Sequence, residues 1–255
     1  MAARGEEIRP GDVIMHNDAY AGASHGPDVG FCVPVFHGGE LVGFCCNRAH
    51  QSDIGGGAAG TYNPTATEIF QEGIRLPVMQ LADADGVRDD LWQLLLANSR
   101  TPDLLDGDLR AMLGSVRIGA DRLIELVDEL GPDTALVAFD EVCDHAERIF
   151  RSRIDELPDG TWHASEHWDD DCFGPADVTL RLSLTVDGDE VAVDFTGTDP
   201  QIRGFKNSGW VNTWSAVSMA LAGWFEPDLP RNEGSFRRVT MTAPEGTVVN
   251  ARPPA

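Results

Sequence analysis

Residues 29–46, Val-Gly-Phe-Cys-Val-Pro-Val-Phe-His-Gly-Gly-Glu-Leu-Val-Gly-Phe-Cys-Cys, decide the fold of the first part of the chain. Apolar side chains alternate along the first half of this segment with the period of a half-buried strand, at Val29, Phe31, Val33 and Val35. Gly38-Gly39 predicts a tight turn, and residues 41–46 return as a second apolar strand. The segment therefore predicts a β-hairpin.

Histidines and acids flank this hairpin on both sides. His25 and Asp28 share one tight loop before the first strand, and His50 follows the second strand. Because a hairpin brings its two ends together, His50 can reach the His25/Asp28 loop. Two imidazoles and one carboxylate suit Mn, Fe or Zn and leave positions open for water and substrate. The spacing suggests a metal site, although H-x-x-D pairs and surface histidines are also common without one.

A glycine-rich loop, residues 54–64, follows the hairpin. Its residues 55–60 fit the pattern G-x-G-x-x-G of dinucleotide-binding proteins. That use requires a helix that opens directly on the loop. Here Pro64 disfavours helix at Asn63. We therefore expect a loop whose backbone approaches a site closely, and not a dinucleotide cradle.

In the rest of the chain the spacing of apolar side chains changes twice, first from strand to helix and then back to strand. Residues 89–158 have helical spacing of apolar side chains, with a break at Gly131-Pro132. Strand alternation then returns, and the turn at Asp187-Gly188 predicts an antiparallel hairpin over residues 178–195 with its apolar side chains facing a core. Residues 212–225 predict a buried helix.

The predicted fold class is therefore α+β, with three regions along the chain. Residues 1–88 form a β-rich metal-site region, residues 89–158 a helical region, and residues 159–255 a β-hairpin and helix segment. The last residues, 251–255, carry no stop signal of a finished domain, so we expect a chain truncated at its C-terminus.

The charge excludes two classes of partner. With 19 Lys and Arg against 42 Asp and Glu, the formal net charge is -23. Such a surface repels phosphate backbones and anionic membranes, so we expect neither nucleic-acid nor membrane binding. No apolar stretch is long enough to cross a bilayer, and the N-terminus lacks the apolar segment of a secretory signal.

The five cysteines are odd in number and lack the spacing of a disulfide framework. This pattern predicts reduced thiols and a cytoplasmic location. Cys45 and Cys46 are adjacent, which fits neither a zinc knuckle nor a thioredoxin motif. We interpret both as small core residues of a strand.

Several segments resemble the hydantoinase B family, which includes the hydantoinase B protein itself, the C-terminal half of 5-oxoprolinase and the α subunit of acetone carboxylase. The signature-like segments near the hairpin are Gly-Asp-Val-Ile-Met-His-Asn-Asp (11–18), Ser-His-Gly-Pro-Asp-Val (24–29), Arg-Ala-His-Gln-Ser-Asp-Ile-Gly-Gly (48–56) and Thr-Glu-Ile-Phe-Gln-Glu-Gly-Ile-Arg-Leu-Pro (67–77). Further matching segments are 96–102, 107–111, 194–201 and 243–247. The resemblance therefore covers nearly the whole chain in the right order.

The resemblance implies roles for five residues. The ligands of a divalent metal fall on His25, Asp28 and His50, with Mn expected first and Zn or Fe as alternatives. Asp18 and Asp53 match other recurring family positions, and we expect catalytic roles for them, either orienting the ligands or transferring protons.

Two departures from the family pattern bear on the site. Ala19 stands where members commonly have proline, which predicts a looser loop. Gln51 stands where oxoprolinase-type members often carry the second of two histidines, which removes one candidate base. Family subunits are also longer at both ends, so the resemblance implies a truncated member.

Two further groups of polar residues have functional and ordinary interpretations. Glu68 and Glu72, one helical turn apart, either face the site or form a solvated helix face with Arg75. Residues 163–167 carry two histidines and a glutamate ahead of the acidic run 169–171, which we interpret as a solvated β-turn in preference to a second metal site.

The expected function is that of a metal-binding subunit in an ATP-dependent hydrolase of cyclic amides, of the hydantoin, N-methylhydantoin or 5-oxoproline type. No Walker A motif and no nucleophile elbow is present, so ATP must be handled by a partner, which the resemblance implies is a hydantoinase A-like ATPase subunit. Residues 61–77 look closer to hydantoinase B than to acetone carboxylase. The alternatives are an acetone carboxylase-type α subunit acting on a ketone, and a non-catalytic truncated or split-gene module that only assembles with a partner.

Overall fold

The computed structural model describes residues 8–225 and 230–255. It divides the chain into two compact units, Met1–Leu136 and Val137–Ala255. Each unit contains helices and a sheet, which confirms the predicted α+β class. The boundary falls within the third α-helix, so the predicted helical region of residues 89–158 contributes to both units. No helix in the described ranges is long and apolar enough to span a bilayer.

The first unit contains a five-stranded antiparallel sheet and two α-helices. Its strands lie in the order β3-β2-β1-β4-β5. They are β1 (Val13–His16), β2 (Asp28–His37), β3 (Glu40–His50), β4 (Met79–Asp83) and β5 (Gly86–Val87). The helices are α1 (Asp89–Ala97) and α2 (Pro102–Leu130), with short 3-10 turns at Ala19–Ala21, Ala59–Thr61 and Ile69–Gln71.

Strands β2 and β3 form the predicted first hairpin, which is thereby confirmed. Their register pairs Asp28 with His50 at one end and His37 with Glu40 beside the turn. One face of the hairpin packs against α2 in a continuous core that includes Val29, Phe31, Val33 and Val35, and α1 contributes Trp92 and Leu95 to the same core. Burial of each such side chain contributes roughly 1.5–3 kcal/mol. The apolar alternation therefore decides which face of the sheet remains open.

Adjacent strand residues point to opposite faces, and this corrects one interpretation. Cys45 is directed to the helix side, where it packs against the core. Cys46 lies on the open face and is exposed. The prediction that both are core residues is therefore wrong for Cys46.

The helices of the first unit end and begin where local signals place them. Pro102 occupies the first turn of α2, where its missing N–H costs nothing. Gly131 follows the helix with a positive φ of 81°, and the next helix begins at Pro132, as the Gly-Pro break predicted. In α1 the buried side chains are Trp92 and Leu95.

The glycine-rich loop has no α-helix opening on it and follows a path that requires glycine. Gly55 and Gly56 have φ values of 88° and 84°. A Cβ placed on Gly56 would lie 2.7 Å from the backbone oxygen of Gln71 and the backbone nitrogen of Gly73. The loop therefore packs its backbone directly against the segment that follows the Ile69–Gln71 turn.

A buried carboxylate holds this loop in place. Asp53 accepts hydrogen bonds from the backbone N–H groups of Gly55 (2.9 Å), Gly60 (3.0 Å) and Arg100 (3.1 Å), and from the Arg100 guanidinium (3.0 Å). Arg100 also donates to the carbonyl oxygens of Gly55, Gly56 and Ala58. Burial opposes ionisation of Asp53, but these hydrogen bonds outweigh it and lower its pKa to about 2.

The second unit contains a four-stranded sheet in the order β6-β7-β8-β9. Its elements are α3 (Pro132–Ile154), β6 (Gly160–Asp170), β7 (Pro175–Asp187), β8 (Glu190–Asp194), α4 (Trp210–Phe225) and β9 (Val239–Thr242), with a 3-10 turn at Glu233–Phe236. Strands β8 and β9 are parallel, and the other pairs are antiparallel. Strand β6 forms one edge, and most of its residues are exposed.

The predicted second hairpin is confirmed as the antiparallel pair β7 and β8. Its apolar side chains either belong to the core of this unit or pack against it: Val178, Leu180, Leu182, Leu184, Val191, Val193 and Phe195. The predicted helix over residues 212–225 is present as α4 but is not buried throughout. Leu221 and Ala222 face the core, whereas Met219 and Trp224 are exposed, because the described part of this unit covers only one side of the helix.

Asp53→Asn should lower the free energy of unfolding at neutral pH by about 2 kcal/mol, because the folded-state pKa near 2 lies well below the ordinary 3.8. A lowered folded-state pKa means that the contribution is present above about pH 4 and is lost as the pH falls toward about 2. Urea unfolding at neutral pH and at about pH 3 should show the gap between wild type and variant shrinking.

Asp85→Asn is the matched control, since Asp85 is an exposed residue in the turn between β4 and β5. It should unfold like the wild type at both pH values. An Asp53→Asn protein as stable as the wild type at neutral pH would contradict the role of this carboxylate.

Candidate metal centre

The loop that carries His25 and Asp28 is anchored by a buried amide. Asn17 is 1% exposed and follows β1. Its Nδ2 donates to the carbonyl oxygens of Gly26 (2.6 Å) and Ile74 (2.9 Å), and its Oδ1 accepts from the Leu76 N–H (2.6 Å). One side chain therefore joins three segments of the first unit. Sequence reasoning assigned Asn17 no role, although its place between His16 and Asp18 at the end of a strand was a signal.

The hairpin register brings His50 to this loop. Asp28 is the first residue of β2 and pairs directly with His50, the last residue of β3. The Gln51 N–H donates to the Pro27 carbonyl (2.9 Å), and the Asp28 N–H donates to the His25 carbonyl (3.1 Å). The loop therefore turns tightly enough for His25 to lie beside the Asp28–His50 pair.

The three side chains converge on one small region. His25 Nδ1 lies 3.0 Å from Asp28 Oδ2, and His50 Nδ1 lies 3.1 Å from Asp28 Oδ1. His25 Nε2 and His50 Nδ1 are 3.1 Å apart. With one ligand atom taken from each residue, all three atoms lie within 4.8 Å of one another. In the described part of the chain, this is the one group of three or more His, Cys, Asp or Glu side chains with such geometry.

The donor chemistry of this cluster fits a divalent cation. His50 Nδ1 faces both His25 Nε2 and Asp28 Oδ1, and a single proton on that nitrogen serves only one of them well. A cation accepts lone pairs from all three atoms together. Burial lowers the pKa of His25, and the Asp28 carboxylate partly opposes this effect. The lowered pKa favours the neutral imidazole, which is the form that binds metals. The Ser24 hydroxyl donates to Asp28 Oδ2 and orients the carboxylate.

The structure does not bring Asp18 and Asp53 into hydrogen-bond contact with this cluster. Asp18 accepts from the Arg75 guanidinium (2.8 Å) and from the Tyr20 N–H (3.0 Å), so it caps the Ala19–Ala21 turn. Asp53 holds the glycine-rich loop through Arg100 and backbone N–H groups. Their expected catalytic roles stay predictions.

The two departures from the family pattern have structural positions. Ala19 begins the 3-10 turn that Asp18 caps. The Gln51 side chain is buried and points to the helix side of the sheet, where its Nε2 lies 3.3 Å from the Met112 sulfur. A side chain at position 51 in this rotamer therefore faces the core and not the cluster.

The sequence predicted that Glu68 and Glu72 lie one helical turn apart, and this prediction is wrong. They flank the single 3-10 turn Ile69–Gln71, and the Gln71 side chain accepts a hydrogen bond from the Thr67 N–H (2.7 Å). Glu68 is exposed. Glu72 is half-buried, and this burial raises its pKa.

The histidines of residues 163–167 lie on exposed positions of β6. His163 contacts the Ser183 hydroxyl (2.9 Å), and His167 lies 3.3 Å from the Asp177 carboxylate. The acidic run 169–171 leads into the turn between β6 and β7, where Asp171 accepts from the N–H groups of Phe173 and Gly174. These contacts agree with the interpretation as a solvated turn.

A pocket of about 500 Å³ lies on the open face of the sheet, lined by residues that include His16, Gly30, Cys32, Cys46 and Arg48. Along β3, Arg48 and His50 are separated by one residue, and Gly30 and Asp28 are separated in the same way along β2. Such positions share a face and lie roughly 7 Å apart. The pocket therefore lies on the same face of the sheet as the candidate metal cluster, although none of the three cluster residues lines it.

Arg48 and His16 form the polar side of this pocket. The Arg48 guanidinium donates to the Gly22 carbonyl (3.2 Å) and lies 3.4 Å from His16 Nε2. Burial, together with the charge of Arg48, lowers the pKa of His16. Gly30 leaves room here, since a Cβ on it would lie 3.5 Å from Arg48 Nε. The sequence analysis gave no role to Arg48 or His16, although Arg48 lies two positions from His50 and therefore on the same face of the sheet.

Comparisons with known proteins agree on one family. The family model for hydantoinase B/oxoprolinase matches residues 1–255. A D-/L-hydantoinase B protein of Pseudomonas sp. (strain NS671) is 37% identical over 267 residues, which cover 100% of this chain and 45% of that protein. The β subunit of the caprolactamase of Pseudomonas jessenii is 38% identical over 253 residues, which cover 98% of this chain and 43% of that protein.

A comparison of folds identifies one of the same relatives. The crystal structure of ATP-dependent caprolactamase from Pseudomonas jessenii matches with a TM-score of 0.94 and 36% identity, over 100% of this chain and 44% of that chain. The chain thus spans less than half the length of these relatives. A family match over its full length nevertheless shows that the chain belongs to the hydantoinase B/oxoprolinase family.

Proposed function

We propose that this chain carries the divalent-metal site of a subunit in an ATP-dependent cyclic-amide hydrolase. The observation that carries the proposal is the convergence of the His25, Asp28 and His50 ligand atoms within 4.8 Å of one another. The names of the relatives, a hydantoinase and an ATP-dependent caprolactamase, support a cyclic amide as the substrate class. Because the relatives that match at 36–38% identity are named hydantoinase and caprolactamase, we favour hydrolysis over carboxylation. We favour a catalytic subunit over a purely assembling module because the three candidate ligands lie together.

The proposed ligands are two imidazole nitrogens and a carboxylate oxygen, which leave about half of an octahedral shell free. This favours Mn²⁺, with Zn²⁺ or Fe²⁺ as alternatives. A bound divalent ion supplies Lewis-acid polarisation of a carbonyl and activation of a water molecule. The protein contributes the orientation of the ligands: the Asn17 amide and the Ser24 hydroxyl fix the loop and the carboxylate before any ion binds.

The pocket beside the cluster has the size and polarity for a small ring substrate. Its volume of about 500 Å³ falls within the range usual for small-molecule sites. The Arg48 guanidinium lies beside the Gly22 carbonyl and His16, and none of the ion pairs between described residues involves it. We propose that Arg48 donates hydrogen bonds to an oxygen of the substrate and so orients its amide carbonyl toward the cluster.

ATP has a separate place in the proposal. The chain contains no Walker A sequence, so a hydantoinase A-like ATPase subunit is the proposed source of phosphoryl transfer. Phosphorylation of the amide oxygen there would give this subunit an activated substrate to hydrolyse.

His50→Ala should lower the affinity of the purified chain for Mn²⁺ by more than about 10-fold, since even indirect partners of metal ligands cost 10- to 100-fold when removed. Isothermal titration and metal analysis after dialysis measure this change. Circular dichroism should show the helices retained, because the exposed His50 side chain is not part of the core.

His163→Ala is the matched control, because it removes an exposed histidine from β6. It should leave Mn²⁺ binding unchanged. A His50→Ala protein that keeps the full metal content of the wild type would reject the proposed ligand set.

ATP turnover should appear only when a hydantoinase A-like subunit is added to this chain, since the ATPase chemistry is assigned to the partner. Phosphate release and ring opening, followed in parallel, test this expectation. The idea fails if the purified chain alone hydrolyses ATP at rates comparable to those of the complex.

Arg48→Gln should raise KM for a cyclic-amide substrate in the active complex by about 10-fold, the loss expected for one charge-assisted hydrogen bond, while the bound metal stays unchanged. Arg122→Gln, on the exposed side of α2, is the control and should leave KM unaffected. An unchanged KM in Arg48→Gln would show that the substrate does not contact this guanidinium.

A further inference from the structure

A pair of thiols lies on the open face of the same sheet, one step beyond Arg48. Cys32 of β2 and Cys46 of β3 are direct partners in the register of the hairpin. Their sulfur atoms are 2.8 Å apart. Directly opposed residues of antiparallel strands have Cβ atoms about 4.5–5.5 Å apart, close to the spacing that a disulfide requires.

The surroundings of the two thiols differ from those of the neighbouring cysteine. Cys46 is exposed and Cys32 is half-buried, and both line the open pocket. Cys45 points to the helix side, where burial raises its pKa. The hydrogen bond with Cys32, aided by the charge of Arg48, outweighs burial and lowers the pKa of Cys46 to about 7. Thiolate, the reactive form, is therefore accessible at Cys46 near neutral pH.

We propose that Cys32 and Cys46 form a reversible dithiol–disulfide site that reacts with small disulfides of the glutathione type. The Cys46 thiolate attacks one sulfur of the small disulfide, whose S–S bond breaks to release one small thiolate. Cys32 then attacks the Cys46 sulfur of the mixed disulfide and releases the second small thiolate. The protein loses two electrons and two protons, and the small disulfide is reduced to two thiols.

The bond requires little movement of the hairpin. The sulfur atoms must approach from 2.8 Å to about 2.05 Å, which side-chain rotation can supply without a change of register. The disulfide would join the two strands that carry Asp28 and His50, and it would lie in the wall of the pocket beside Arg48. The proposed thiol–disulfide reaction is independent of the proposed hydrolase function, because it depends only on the chemistry of the two thiols.

The test is incubation of the native chain with excess oxidised glutathione, followed by thiol counting after denaturation and by peptide mapping without reduction. The wild type, with five cysteines, should lose two thiols and yield a peptide pair linked through Cys32 and Cys46. Dithiothreitol should restore both thiols. Cys45→Ser is the matched control and should form the same linkage at the same rate.

Cys32→Ser should instead hold a mixed disulfide on Cys46, since the attacking thiol remains and the resolving thiol is gone. Cys46→Ser should lose the fast reaction with the small disulfide. The proposal is overturned if the wild type keeps glutathione on Cys46 without forming the internal bond. It is also overturned if the linkage found involves Cys45 or joins two chains.

Discussion

The pairing register of β2 and β3 is the constraint on which the first unit depends. Because side chains alternate with a period of two, a slip by one residue would exchange the buried and open faces of a strand. The register that buries Phe31 against the helices also opposes Asp28 to His50 and Cys32 to Cys46. Packing energy in the core therefore fixes the chemistry on the other face, and site and core cannot be altered independently.

The loops around the sheet depend on a second principle, the pairing of buried polar groups. Asn17 and Asp53 are almost fully buried, and each side chain joins backbone groups of separate segments. Loop backbone lacks the regular hydrogen bonds of a helix or a sheet, so such side chains supply hydrogen-bond partners for its N–H and C=O groups. The loop of His25 and the glycine-rich loop thus keep defined shapes through one buried side chain each. That preorganisation lets exposed histidines serve as candidate ligands.

Much of the fold could be predicted from sequence, because its signals are local. Alternation over residues 29–46 and 178–195 identified both hairpins, and hairpin closure alone placed His50 near the loop of His25. Features that depend on the exact pairing register or on how separate elements pack could not be predicted. The pocket at Arg48 could not be predicted because it depends on which residues of neighbouring strands lie opposite one another, and the pairing register decides that. The exposed side of α4 could not be predicted, because an apolar sequence does not indicate which side of a helix is covered. Residues 68–72 contain a single 3-10 turn in place of the expected helical turn.

The exposed edge strand β6 has a consequence for the colloidal behaviour of this protein. An edge presents unpaired backbone groups that can template intermolecular strand pairing, and Trp162 adds an apolar side chain to it. Glu166 and the acidic residues that follow supply like charges that repel a second copy of the same edge. The acidic composition of the chain thereby also acts as a barrier to fibril-like self-association.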